Sequence, residues 1–356
     1  MSSSVDANGE KPLETPAPKR LKAGKLPVEL LEPLLARIPA SPRVLIAGGI
    51  GRDAAVIEFS EDSDRLLVAK TDPITFATDR IGWYAVNINA NDIVCMGADP
   101  VWFLATLLLP EDCEETLPAA IFGQIQQACD ALGVALVGGH TEVTLGIDRP
   151  LIAGVMLGEV PRSGLIRPES AEIGDLLLLT QGIAVEGTAV LALEAPRQLR
   201  DAGVDRETVE GAGRMLDDPG ISVVPAAKAL RGVEAVHALH DPTEGGLATA
   251  VRELATAAGL GLRLWSEKIP VFPESASICR ALGLDPLGLL ASGSLLAVVS
   301  PSGIEAAMAK LDAVGIPGGV IGELVSSDEG LLSTSPAGTQ PVEIFERDEL
   351  ARYLED

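Results

Sequence analysis

What this sequence has little of narrows it first. Its 356 residues hold four cysteines, Cys95, Cys113, Cys129 and Cys279, and no two of them are spaced as C-x-x-C. That excludes a disulfide framework and a zinc cage, and a reducing cytoplasm fits. Aromatic residues make up 3% of the chain against 47% hydrophobic overall. The cores must therefore be built from Ala, Val, Leu and Ile, which suits alternating strands and helices. Basic residues are also scarce: 27 Lys and Arg face 51 Asp and Glu, a formal charge of −24. Such a field repels phosphate backbones and anionic lipid, which argues against nucleic acid and membranes as partners. A polyanionic small substrate would need a metal escort. The longest apolar stretches, "VWFLATLLL" and "DLLLLTQGIAV", fall short of the ~18 residues that a membrane span requires. Residues 1–24 lack an apolar core, so they are expected to be a disordered tail of Ser, Pro and Lys rather than a secretory signal.

The length suits two domains, because single cores stop growing near ~250 residues. After a short amphipathic helix, "LPVELLEPLLARI", the pattern predicts a β-α-β-α-β-β order. The strands are "DRLLVAKTD", "VWFLATLLLP", "VALVGG" and "PLIAGVMLGEV", and the helices begin near Gly82 and Glu115. The loop "VPRSGLIRPESAEIGD" marks a boundary, beyond which strands and helices alternate again. The expected organisation is an N-terminal domain over 25–160, a C-terminal α/β domain over 174–335 and a tail over 336–356.

One helix carries an unexpected set of side chains. In "VNINANDIVCMGADP", three asparagines and an aspartate interrupt an apolar run. At helical spacing Gly82, Ala85, Asn89, Asp92 and Met96 share one face. Small residues would let another group come close, and the amide and acid would offer it oxygens. Further acids stand at the ends of elements: Asp53 in a glycine turn beside Gly51, Thr71 and Asp72 at a strand terminus, and Glu142 after Gly139, His140 and Thr141. In the second half Asp241, Thr243 and Glu244 precede a Gly-Gly turn at a helix start, as an N-cap or as a phosphate-facing terminus. Gathered carboxylates raise one another's pKa unless a cation sits among them. Hard oxygen ligands with few imidazoles suit Mg²⁺ better than zinc. "VLIAGGIGRDAAV" imitates a dinucleotide-binding fingerprint, but no crossover helix of ~10 residues separates it from the next strand. No Walker motif occurs in the chain.

"GRDAAVI", "KTDPITF", "NANDIVCMGADP", "GGHTEVT", "DPTEGGL" and "LDPLGLLASGSLLAVV" occur in order over about Lys25 to Val325. In these the chain resembles the superfamily of aminoimidazole ribonucleotide (AIR) synthetase (PurM), selenophosphate synthetase, thiamine-monophosphate kinase and the hydrogenase maturation factor HypE, and "LDPLGLLASG" resembles HypE most. The resemblance implies a two-domain PurM-like fold of the α/β (α+β) class, whose N-terminal halves pair into a dimeric β-barrel. It also implies Mg-ATP near that interface and phosphorylation of a substrate oxygen. It assigns Asp53, Asp72 and Asp92 to metal, and Gly51, Thr71, Asn89, Gly139, Thr141 and the N-terminal Lys25 to the nucleotide. It makes Asp241, Glu244 and His140 the catalytic candidates, with the Asp241-to-Gly246 segment lining the substrate side.

Three departures qualify it. Arg52 stands where relatives commonly carry an acid. His140 replaces the aspartate of the kinase and of HypE, and is a phosphate donor, a metal neighbour or a core histidine. The chain ends "ERDELARYLED", without the terminal cysteine that HypE modifies. The expected activity is therefore Mg-ATP activation of an amide or carbamoyl oxygen on a separate small substrate or a partner protein, for hydrogenase or other metalloprotein maturation. Two alternatives stand beside it: a nucleotide-binding sensor or scaffold without turnover, and a small-molecule kinase.

Overall fold

The computed structural model describes residues 26–75 and 79–355, so the expected tail 1–24 and Lys25 lie outside the described residues. The predicted first helix is present as α1 (Val28–Leu35), with none of its residues buried. Two short strands, β1 (Val44–Ile46) and β2 (Ala55–Ile57), pair antiparallel around the glycine turn with no helix between them. That hairpin is incompatible with the dinucleotide fingerprint. The β-α-β-α-β-β order then follows as read: β3 (Arg65–Ile74), α2 (Ile81–Cys95), β4 (Asp99–Pro110), α3 (Leu117–Leu132), β5 (Ala135–Thr144) and β6 (Leu151–Pro161). The sheet order is β1-β2-β3-β6-β4-β5, with only β4 and β5 parallel. Helix α3 makes the crossover that such a parallel pair needs, and β5 is left as an edge.

In the second half, β7 (Leu176–Thr180) leads into α4 (Val185–Glu194), α5 (Pro196–Asp201), α6 (Arg206–Arg214) and α7 (Val224–Leu230). Then come β8 (Val236–His240), α8 (Gly246–Ala258), β9 (Gly261–Trp265), α9 (Pro273–Leu282), β10 (Leu296–Val299), α10 (Ile304–Asp312) and β11 (Gly318–Val325). The stretch expected to be a tail instead holds β13 (Gly338–Pro341), paired with β12 (Leu331–Ser335), and α11 (Glu349–Glu355). These strands form a second sheet in the order β13-β12-β9-β11-β7-β10-β8. Leu350, from the first turn of α11, is buried in the core.

Helix α2 organises the molecule. Every residue in it except Trp83 is buried, because the first sheet covers one side and α3 and α7 the other. Its isoleucines and valines each contribute about 1.5–3 kcal/mol by leaving water. The small residues of the stripe do admit close neighbours, but those neighbours are the protein's own. A Cβ on Gly82 would stand 2.6 Å from the Ile121 carbonyl oxygen of α3. Asn91, on another face, holds the second domain: its amide donates to Ile221 O and its oxygen accepts from Val223 N, both at 2.9 Å.

Candidate active site

Strand alternation sets the first side of the site. Lys70 and Asp72, two residues apart on β3, point to the same face, and Thr71 points away. Thr71 Oγ1 donates to Gly154 O on β6 at 2.8 Å. On the other face Lys70 Nζ lies 3.3 Å from Asp72 Oδ2 and 3.1 Å from Asp92 Oδ1 of α2. Asn89, one turn before Asp92, is fully buried. Its Oδ1 accepts the Asp72 amide at 2.9 Å, and its Nδ2 donates to Asp72 O at 3.2 Å and Ala85 O at 2.9 Å. The Asn89 side chain thus acts like a strand neighbour for Asp72 and fixes where that acid stands.

The second domain supplies the other side. Gly51 adopts φ +68°, and a Cβ there would strike the backbone of Glu253 in α8, so only glycine allows this close approach. The turn thereby delivers Asp53 to His240 at the end of β8, with Asp53 Oδ1 2.5 Å from Nδ1 and Glu253 Oε2 3.3 Å from Nε2. Asp241 follows directly, buried, with Cys95 Sγ 3.9 Å from its Oδ1. Donor atoms of Asp53, His240 and Asp241 lie within 4.8 Å of one another. Asp53, Asp72, Asp92 and Asp241 thus converge around Lys70 and His240, drawn from both domains.

Their titration follows from that crowding. Burial pushes Asp92 well above the usual carboxylate range, and Asp241, Asp72 and Asp53 add to it against the pull of Lys70. Burial and then the Asp53 charge push Asp241 up to about 7, against His240 and Lys70. Burial alone would lower Lys70, but the carboxylates of Asp92, Asp72 and Asp53 outweigh it and hold the ammonium charged. Burial likewise opposes the charge on His240, and Asp53 with Glu253 overcomes it. Among the described residues, Asp92 Oδ2 and Asp241 Oδ2 are buried without a hydrogen-bond partner. A buried acceptor without a donor costs about 1–3 kcal/mol. Two such oxygens beside a ligand-spaced group fit a hard divalent cation.

The remaining expected residues lie elsewhere. Gly139, His140 and Thr141 sit on the exposed edge strand β5. In register, Asp72 faces Gly154, Gly154 faces Ala105 and Ala105 faces Gly139. Three interstrand steps put Gly139 about 14 Å from Asp72 within one chain. His140 is not a core histidine: its side chain is 64% exposed, 3.2 Å from Glu142 Oε2. Gly139 and His140 instead line a groove of about 430 Å³ with Phe122, Leu136, Val137 and Thr141. At the start of α8 the Gly245 amide is taken by Asp348 Oδ2 at 2.6 Å, so this terminus is capped from the C-terminal segment. Glu244 is half-buried in the same turn. Arg52, the departure beside Asp53, turns outward and pairs with Glu169 at 2.7 Å.

Sequence reasoning did not single out Lys70, His240, Glu253 or Asp348. Lys70 was signalled by its place two residues before Asp72 on one strand, and His240 by adjoining Asp241. Glu253 and Asp348 left no local signal.

The chain matches the family models for the AIR synthase related protein N-terminal domain over residues 51–160 and C-terminal domain over 172–333. It is 29% identical over 290 residues to the carbamoyl dehydratase HypE of Rhizobium leguminosarum bv. viciae, covering 79% of each chain. With the carbamoyl dehydratase HypE of Escherichia coli (strain K12) it shares 30% over 286 residues, 74% of this chain and 81% of the relative. A crystal structure of HypE in complex with ATP superposes with a TM-score of 0.68 at 22% identity, covering 90% of this chain and 92% of that one. With both halves matched in order and the two-domain architecture reproduced, the chain belongs to the AIR synthase-related family, alongside the HypE proteins.

Proposed function

We propose that this protein is a Mg-ATP-dependent enzyme that phosphorylates the oxygen of an amide or carbamoyl group and then releases phosphate. The observation that carries this is the convergence of four acids from both domains, two with a buried oxygen left unpartnered, in a chain related to carbamoyl dehydratases. Asp53, Asp241 and Asp92 would hold the divalent ion, with Asp72 beside them. When bound, that ion would neutralise charge on the triphosphate. Catalysis then rests on positioning and charge neutralisation rather than on a covalent nucleophile. Asn89 fixes Asp72, Gly51 brings Asp53 to His240, and the turn of Thr243 and Glu244 borders the substrate side. In the overall reaction the amide oxygen leaves on the phosphate, and the two N–H protons go to solvent as a nitrile-type product forms. The substrate is a separate small molecule or a group on a partner protein, in the maturation of hydrogenase or a similar metalloprotein.

The exposed edge β5 supports a homodimer built by the N-terminal sheets. Val137 and Val143 on it are 53% and 60% exposed, and Leu145 after it 76%, and an apolar edge strand of this kind is a ready site for pairing. In a pair, Gly139, His140 and Thr141 would approach the nucleotide from the partner's side.

Titration calorimetry with Mg-ATP, followed by phosphate release across a panel of carbamoyl and amide compounds, tests the proposal. Release with one of them supports it, and absence of any nucleotide binding at millimolar ATP refutes it. Binding without release on the whole panel favours a sensor or scaffold. A stable substrate phosphoester instead of free phosphate marks a kinase.

A further inference from the structure

The cationic side chains of the site differ in what they permit. His240 meets a carboxylate at each ring nitrogen, Asp53 Oδ1 2.5 Å from Nδ1 and Glu253 Oε2 3.3 Å from Nε2. An imidazole nitrogen is a metal ligand by type, and His240 belongs to the ligand-spaced group with Asp53 and Asp241. An ammonium has three donors and no lone pair, so Lys70 cannot ligate a cation. It nonetheless stands between Asp72 Oδ2 and Asp92 Oδ1, at 3.3 and 3.1 Å, where two carboxylates from different elements would otherwise invite a divalent ion. The backbone of Asp72 is clamped by Asn89, so the acids cannot retreat from it. Among the described residues, Asp92 Oδ2 and Asp241 Oδ2 are buried carboxylate oxygens without a hydrogen-bond partner, and neither is the oxygen that Asp92 presents to Lys70.

Resting on the Mg-ATP reading above, we propose that Lys70 is a resident counter-ion. It takes the place of one divalent cation between Asp72 and Asp92, so this chain gathers one fewer ion than the same four acids would without the lysine. The ammonium is tethered to β3 and is never lost to dilution. It keeps Asp72 and Asp92 together when the metal is scarce, and leaves the position at Asp53, Asp241 and Asp92 Oδ2 to a single ion. Lys70 is thus a positioning residue that sets the metal stoichiometry.

The test counts ions. Free Mn²⁺ is measured by electron paramagnetic resonance during titration of the full chain, with and without a non-hydrolysable ATP analogue. Lys70→Met should bind one more Mn²⁺ per chain than the wild type, and Lys70→Arg should keep the wild-type number. Where Lys70→Met is unstable without metal, Mn²⁺ should restore its melting temperature and raise it by more than it raises that of the wild type, since an ion that binds only the folded state stabilises it. Equal ion counts in wild type and Lys70→Met overturn the proposal, as does a Lys70→Met chain that saturating Mn²⁺ does not rescue. A wild type that binds Mn²⁺ and no nucleotide sinks the Mg-ATP reading alone, because the metal-only count still decides the role of the lysine.

Discussion

Replacing Asn89 by leucine separates a structural clamp from a ligand. The side chain makes three hydrogen bonds, two to the Asp72 backbone at 2.9 and 3.2 Å and one to Ala85 O at 2.9 Å. Leucine is near in volume but offers no polar atom, so the Asp72 N–H loses its partner in a part-buried setting. A stranded donor costs about 1–3 kcal/mol, and a carbonyl with a second lone pair costs less. The expected loss is about 2–4 kcal/mol of stability, a fall in melting temperature of about 4–10 °C. A second effect follows, because a loosened Asp72 no longer meets Lys70 and the ion position at fixed distance. Loss of such an outer support lowers metal affinity about 10–100-fold. Urea titration gives the first quantity and Mn²⁺ titration the second. If Asn89→Leu stays within about 0.5 kcal/mol of the wild type, the range of an ordinary surface substitution, the clamp is refuted. If Mn²⁺ affinity is unchanged, so is the link from Asn89 to the acids.

Other substitutions probe the rest. Asp53→Asn leaves His240 buried beside a neutral amide, and breaking such a pair costs about 3–5 kcal/mol. Melting should show that loss together with abolished Mg-ATP binding, and full nucleotide affinity would contradict the site. His140→Ala, exposed and, among the described residues, bonded to Glu142 alone, should change stability by under about 0.5 kcal/mol. Calorimetry should show its Mn²⁺ affinity unaltered, and a large change in either would place His140 in the acid cluster. Gly51→Ala must hold φ +68° and push against the Glu253 backbone, so it should cost about 2–4 kcal/mol and weaken metal binding, both read by melting with and without Mn²⁺. Burial pushes Glu186 up to about 7, with Asp348 adding and the Ser292 hydroxyl opposing. Its folded pKa exceeds the unfolded one, so the folded state holds a proton the unfolded state has released, and stability falls as pH rises from about 4.5 to 7. Glu186→Gln should therefore gain stability over the wild type across that window, by at most about 3 kcal/mol. A gap that stays constant from pH 5 to 8 would refute this.

Much of the fold was legible because its signals are local. Apolar runs of strand length, the helix pattern around Gly82 and the Pro- and Ser-rich loop each report on a few neighbouring residues. The strands β9, β12 and β13 were not read as such. Their alternation is short, as with Leu262 and Leu264 around Arg263, and the partners of β9 lie far along the chain, while β13 pairs with its neighbour β12. Helix α11 shows the same limit. Its anchors, Glu349 to the Asp285 amide at 2.8 Å and Arg352 to Gly283 O at 2.9 Å, depend on a distant loop.

The site divides in the same way. By itself the sequence determined that acids gather at the ends of elements in a strongly anionic chain, and that such acids call for a cation. It could not say which cation is already there. Lys70 reads as a solvated strand residue until α2 crosses β3 and brings Asp92 to 3.1 Å, and His240 reads as the end of a strand until the glycine turn of the other domain delivers Asp53. His140 shows the converse, a residue in a suggestive motif on the edge strand, next to Gly139, which the sheet register holds about 14 Å from Asp72. Charge and composition are properties of the chain, whereas the pairing of one charge with another across domains is a distance, and only tertiary packing sets distances.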